Sequence, residues 1–344
     1  MTPDIGNRLA DWFRTQMPAA QSIDLTGWSP ASSGSSSETW LFTLLIEQNG
    51  GRTEHPLVLR TNRDGRGLFP DYDFGLQAQV MRALGTAGLP VPAIRWYEAD
   101  GKAIGAAFII MDQVEGDTPS DTSPGFHGHG LFHDADAAGR RSMWIALVQK
   151  LVDLHRLDWR AMALPPLVGA AESVAACMAQ HLALLDRWIA WSQVPPAPAL
   201  LRALDWLRRT PPPSGQGLAL LWGDGRPGNA LYRDQRITAM LDWELASIGL
   251  PAFDLGYLIW SAEVLRQVND VPWLEGVPRR DACKALYCAL SGAELDCDYG
   301  EVFALARLAV MTALGGRQAG HDPYFQRFLR ESVVVQELDR RFPA

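Results

Sequence analysis

The chain has 344 residues, 47% hydrophobic and 20% charged, so it can bury a sizeable core and does not read as a disordered segment. A net charge of -8 argues against a general nucleic-acid binder, because neutralising phosphates needs a basic surface. The four cysteines, Cys177, Cys283, Cys288 and Cys297, form no Cys-x-x-Cys pair, which leads us to expect free thiols in a reducing cytoplasm.

The first residues carry an early Asp4 and no apolar run, so no signal peptide is expected. No apolar stretch approaches the roughly 18 residues of a membrane span. Residues 39–46 are apolar and rich in strand formers, Asn49-Gly50-Gly51 is a hairpin signal, and residues 56–60 form the return strand. Helical spacing over residues 73–86 ends near Gly85 and Gly88, and residues 106–111 suit a buried strand. The first third is therefore expected to be strands with one helix. Residues 117–139 are rich in Gly, Asp, Ser, Thr and His and read as a loop. Helical patterns follow at about 140–156, 172–193, 198–209, 252–267, 278–291, 299–315 and 323–341. Between them, residues 218–222, 230–232 and 237–243 form an island of short strands. The expected organisation is a β-rich lobe over residues 1–112 and a helical lobe over 113–344, with a ligand cleft between them. The 13 tryptophans are expected to pack the core and the cleft.

The densest polar signal is Trp222-Gly223-Asp224-Gly225-Arg226-Pro227-Gly228-Asn229, followed by Asp242 at the end of an apolar run. A carboxylate there, beside a Gly-rich loop, suits a hard cation, and one Asp with one Asn suffices for magnesium when substrate phosphates complete the shell. A second carboxylate five residues before the Asn can sit by an acceptor hydroxyl, as in a kinase catalytic loop. Taken singly, each of these residues is as well explained as a turn or cap.

Together, Trp222 to Asn229, Leu241-Asp242-Trp243-Glu244, Pro251 to Gly256 and Leu154-His155 resemble the aminoglycoside phosphotransferase and choline kinase family. The nearest branch is the acyl-CoA dehydrogenase-associated kinases, which share Arg226, Gly228 and the run Asp242 to Glu244. The resemblance implies an α+β, protein kinase-like two-lobed fold and transfer of the ATP γ-phosphoryl group to a small-molecule hydroxyl. It implies Asp224 as base, Asn229 and Asp242 as magnesium ligands, and Asp254 as a buried brace for the loop; an N-cap after Pro251 is the other reading of Asp254. Arg60 takes the place of the strand cation that holds nucleotide phosphates, and Gln77 the place of its helix carboxylate. Residues 32–39 would cover the phosphates, with Ser35 and Ser36 touching them, and Met111 and Gln113 belong to a hinge that would meet adenine.

The main departure is Trp222 where the family carries His; Trp fills the space but offers one N–H and no acceptor. The acceptor is expected on the helical lobe, under residues 117–139 and beside the helices after 250. A hydroxyacyl-CoA or hydroxy acid is the acceptor that the branch implies. An aminoglycoside is the alternative, and a nucleotide-binding pseudokinase is the non-enzyme reading. Neither a nucleic acid nor a membrane is expected as a partner. His127, His129 and His133 match no zinc spacing and read as part of a polar lid, while His155 reads as a packed core histidine. Neither G-x-S-x-G nor a strand-linked G-x-G-x-x-G occurs, which disfavours a serine hydrolase and a dinucleotide enzyme.

Overall fold

The computed structural model describes residues 3–31, 38–62, 67–70, 72–213, 215–319 and 329–343. Its N-terminal part is an antiparallel sheet. Strands β1 (Ser22–Pro30), β2 (Glu38–Gln48), β3 (Gly51–Thr61), β4 (Ile94–Glu98) and β5 (Phe108–Asp112) lie in the order β1-β2-β3-β5-β4. The β2–β3 hairpin closes through Asn49 and Gly50, both with positive φ, so the turn signal acts as expected and pairs Gln48 with Gly51.

Period-two alternation gives the sheet two different faces. Phe42, Leu44, Leu57, Leu59, Phe108 and Ile110 point to one side. There they meet helix α1 (Pro3–Gln16), which buries Ile5, Leu9 and Phe13. These residues recur every four positions, the spacing of one helix face. The sequence reading allowed one helix in this region and missed α1, although that spacing was visible. It also missed β1 and β4. On the other side of the sheet, Val58, Arg60 and Met111 face a cleft. Helix α2 (Phe74–Thr86) flanks it, capped by Asp73, whose carboxylate accepts the Gly75 and Leu76 N–H groups.

The rest of the chain is mainly helical. The segment expected to be a loop over 117–139 ends in a short helix, α3 (Leu131–Asp134), and in the start of α4 (Ala137–His155). After these come α5 (Val174–Ser192), α6 (Pro198–Arg209), α7 (Pro251–Val268), α8 (Arg280–Ser291), α9 (Cys297–Ala319) and α10 (Val333–Arg341). The expected last helix began at residue 323; residues 323–328 lie outside the described residues. A large apolar core joins α4, α5, α7 and α9. Two small β pairs are inserted: β6 (Ala219–Leu221) with β9 (Ser247–Gly249), and the hairpin β7 (Ala230–Arg233) with β8 (Arg236–Met240). The expected strand 237–243 stops at Met240, because Asp242 takes φ of 58° and turns the chain. β9 was not foreseen; three residues carry too little pattern to show it. The chain is therefore α+β, with an antiparallel sheet followed by a helical part.

Candidate active site

Residues 222–229 connect β6 to β7, and their backbone is held from below. Asp254, in the first turn of α7, accepts the Trp222 N–H at 2.7 Å and the Gly223 N–H at 2.9 Å. His155 Nε2 lies 3.2 Å from the same carboxylate, and its Nδ1 lies 2.8 Å from the Tyr287 hydroxyl. Asp254 is fully buried and caps no helix; Leu250 is the N-cap of α7. The brace reading holds for Asp254 and the N-cap reading does not. His155 is buried as expected but does more than pack, since it links that brace to α8. Gly223 has φ of 84°, and a Cβ there would fall 2.0 Å from the Leu245 carbonyl oxygen, so only glycine fits. The Gly223 carbonyl accepts from buried Arg307 on α9.

Trp222 fills its space and uses its one N–H to hold the loop. Its Nε1–H donates to the Leu241 carbonyl at 2.7 Å, one residue before Asp242, and its ring stacks on Trp243 at 5.5 Å. The substitution therefore ties the two motif segments together.

A cavity of about 690 Å³ lies between the sheet and the helical part. Arg60, Met111, Gln113, Asp224, Asn229 and Asp242 all line it. Ser35 and Ser36 lie outside the described residues. Gln113 spends its N–H on the Pro56 carbonyl at 3.1 Å, so a ligand there would meet its carbonyl instead.

Asp224 is almost wholly buried. Asn229 Nδ2 donates to its Oδ2 at 2.8 Å and to its carbonyl at 2.9 Å, and Arg226 Nε donates to its Oδ1 at 3.0 Å. Burial pushes the Asp224 carboxyl above its ordinary range; Arg226 opposes the rise, and nearby Asp242 adds to it. Burial, with Asp224 close by, also raises the Tyr257 phenol on α7.

Asn229 and Asp242 flank the open end of the β7–β8 hairpin, where the Leu241 N–H donates to the Asn229 carbonyl at 2.7 Å. Arg60 Nη1 and Nη2 both donate to Asp242 Oδ1 at 3.2 Å. Among the described residues, neither Asp242 Oδ2 nor Asn229 Oδ1 receives a hydrogen bond. A carboxylate oxygen and an amide oxygen left uncommitted in one cavity fit a hard divalent cation that takes its other ligands from water and phosphate.

Arg60 is buried, and its contact with Gln77 is long at 3.5 Å. The carboxylate missing from α2 is replaced from another quarter: Glu244 Oε2 lies 3.9 Å from Arg60 Nη2, within ion-pair range. Burial, then Asp242, pushes the Glu244 carboxyl above its ordinary range, and Arg60 pulls it back toward the charged form. For Arg60 itself, burial works against the charge, but Asp242, Tyr72 and Glu244 outweigh it and raise the pKa. Sequence reasoning assigned no role to Glu244, Arg226, Asp121 or Tyr257. Glu244 and Arg226 were visible as motif neighbours, whereas Asp121 and Tyr257 carried no signal. Among the described residues no cluster of three or more His, Cys, Asp or Glu is gathered to hold a metal. His127 instead lies between Phe126 and Trp273, and His133 pairs with Asp134.

An antiparallel sheet over a helical part, with these side chains in the cleft, defines a kinase-like two-lobed architecture. Residues 27–286 match the model of the phosphotransferase enzyme family (APH), and the chain belongs to that family. It is 28% identical over 249 residues to acyl-CoA dehydrogenase family member 11 of Pongo abelii, a match covering 68% of this chain and 30% of that protein. The chain thus spans less than a third of that relative's length. In fold it is similar to a putative aminoglycoside phosphotransferase of Ralstonia eutropha, with a TM-score of 0.70 and 19% identity, covering 97% of this chain and 98% of that one. It is also similar to a thermostable mutant of the aminoglycoside phosphotransferase APH(4)-Ia in ternary complex with ADP and hygromycin B. There the TM-score is 0.58 and the identity 14%, covering 98% of this chain and 99% of that one. Among the described residues no helix is long and apolar enough to cross a membrane.

Proposed function

We propose that the chain transfers the γ-phosphoryl group of ATP to a hydroxyl of a small molecule. The observation that carries this reading is the convergence of Arg60, Met111, Gln113, Asp224, Asn229 and Asp242 on one cavity. Asp224 is the base: its carboxylate accepts or orients the hydroxyl proton, and Arg226 opposes the protonation that burial favours. Arg60 holds phosphate oxygens, exchanging part of its pairing with Asp242 for them. Magnesium, held by Asn229 and Asp242, would supply neutralisation of phosphate charge. We divide the chain near Asp112, with Arg60 and Met111 on the nucleotide side and the catalytic and acceptor residues beyond. The buried, unpaired Cys177, Cys283 and Cys297 are in keeping with a cytoplasmic setting.

The cavity is also lined by Phe126, by Ala262, Leu265 and Val268 of α7, and by Leu308 and Met311 of α9. This apolar lining supports a hydroxyl carried on an apolar chain, as in a hydroxyacyl thioester or hydroxy acid. A polycationic aminoglycoside would want several free carboxylates, and in this cavity Asp121 and Asp224 are committed to Arg226 and Asp242 to Arg60.

The test is a panel of hydroxyacyl-CoA thioesters, hydroxy acids and aminoglycosides, read as acceptor-dependent ADP release. Transfer to an apolar-chain hydroxyl is expected. Magnesium-ATP binding without transfer to any acceptor would make the protein a nucleotide-binding pseudokinase and end this reading.

A further inference from the structure

Arg226 and Gly228 entered the sequence reading only as residues shared with the family branch, yet they share one partner. Arg226 Nε donates to Asp224 Oδ1 at 3.0 Å, while its Nη1 donates to Asp121 Oδ2. Asp121 belongs to the segment that follows β5, far from the catalytic loop in sequence. Its carboxylate also fills the space beside Gly228, where a Cβ would lie 2.1 Å from Asp121 Oδ2. A side chain at this position would have to push the Asp121 carboxylate aside. The guanidinium is planar with a fixed fork of donors, so gripping Asp121 at one end sets the direction of the bond to Asp224 at the other. A lysine has one charged point and cannot hold both. Arg226 and Asp121 are each about a quarter exposed, and both line the cavity beside Asp224.

We propose that Asp121 and Arg226 form a latch that positions the Asp224 carboxylate for the acceptor hydroxyl, so that seating the segment around Asp121 and aiming the base are coupled. Both are positioning residues, and the proposal rests on the reading of Asp224 as base. Gly228 is the seat of the latch. The motif therefore carries an arginine and a glycine at these places because a remote carboxylate must enter the loop.

The test is steady-state ADP release from magnesium-ATP, with the acceptor that the panel returns or with water where it returns none. Asp121→Asn and Arg226→Lys should each lower kcat by about tenfold or more, with the KM for ATP held within about twofold. Gly228→Ala should reproduce the loss, and adding it to Asp121→Asn should deepen it little, because both break the same Asp121–Arg226 contact. Should Gly228→Ala fail to fold, the two charge variants carry the test. Unchanged kcat in Arg226→Lys would show that charge alone is used and overturn the latch, as would losses confined to KM for ATP. A wild-type protein that releases no ADP at all removes the phosphotransferase reading and the latch together. An active wild type with silent variants removes the latch alone.

Discussion

Two buried carboxylates, Asp254 and Asp224, sit in opposite kinds of surroundings. Asp254 takes its hydrogen bonds from two backbone N–H groups and from His155. Asp224 is held by the side chains of Arg226 and Asn229 and feels the charge of Asp242. Backbone donors are fixed by the fold, whereas side-chain donors can be redirected when a ligand arrives. The difference separates a carboxylate that builds the loop from one that, on the proposed function, the loop presents for chemistry.

The sharpest way to break that comparison is to alter each carboxylate in turn. Asp224→Asn should lose phosphoryl transfer by about 10²–10⁴-fold while magnesium-ATP affinity and melting temperature barely move. Turnover at the wild-type rate in this variant removes Asp224 as the base. Asp254→Ala should do the reverse and act on stability, because two buried N–H groups lose their acceptor; chemical denaturation should show a loss of about 3 kcal/mol. A variant as stable as the wild type would place the brace elsewhere.

Acidification offers a milder probe of the braced side. His181 donates its Nε2–H to the Ile248 carbonyl on β9 at 2.7 Å, and burial, with Arg307 nearby, pushes its pKa down to about 4. A folded-state pKa below the unfolded value of about 6.5 means that the unfolded chain takes up the proton first. The stability is complete above about pH 6.5 and is lost as the pH falls toward 4, amounting to about 2 kcal/mol between pH 7 and pH 5. His181→Gln should flatten that part of the curve, and an unchanged slope would show that His181 does not carry it. The smallest effect is expected from Trp222→Phe, which keeps the stack on Trp243 but leaves the Leu241 carbonyl without its donor. It should cost about 1 kcal/mol in denaturant and weaken the magnesium dependence of nucleotide binding. No change in either would mean that the indole N–H is dispensable.

What was legible in the sequence follows the same division. The loop from Trp222 to Asn229 and Asp242 could be read because those residue types at that spacing suit a hard cation and an acceptor hydroxyl, and Asp254 was reached through the family resemblance. Arg60 was placed through the family resemblance, as the strand cation, and strand alternation puts it on the cleft face, opposite to Leu59. The partners of these residues were not legible. Glu244 stands in for the carboxylate absent at Gln77, and Asp121 reaches Arg226, through contacts between segments more than a hundred residues apart. Such pairings depend on how the sheet docks on the helices, and no periodicity records that. Helix α1 was a different kind of miss, since its repeat of Ile5, Leu9 and Phe13 is local and plain.

The pairing of Arg60 with Asp242 has a kinetic consequence for the proposed reaction. Arriving phosphates must compete with a carboxylate already in place, so part of their attraction is spent on displacing it. Departing nucleotide leaves behind a cation with a partner waiting 3.2 Å away. On the proposed function, the site would thereby be biased toward short nucleotide residence times and ready exchange of its ligand.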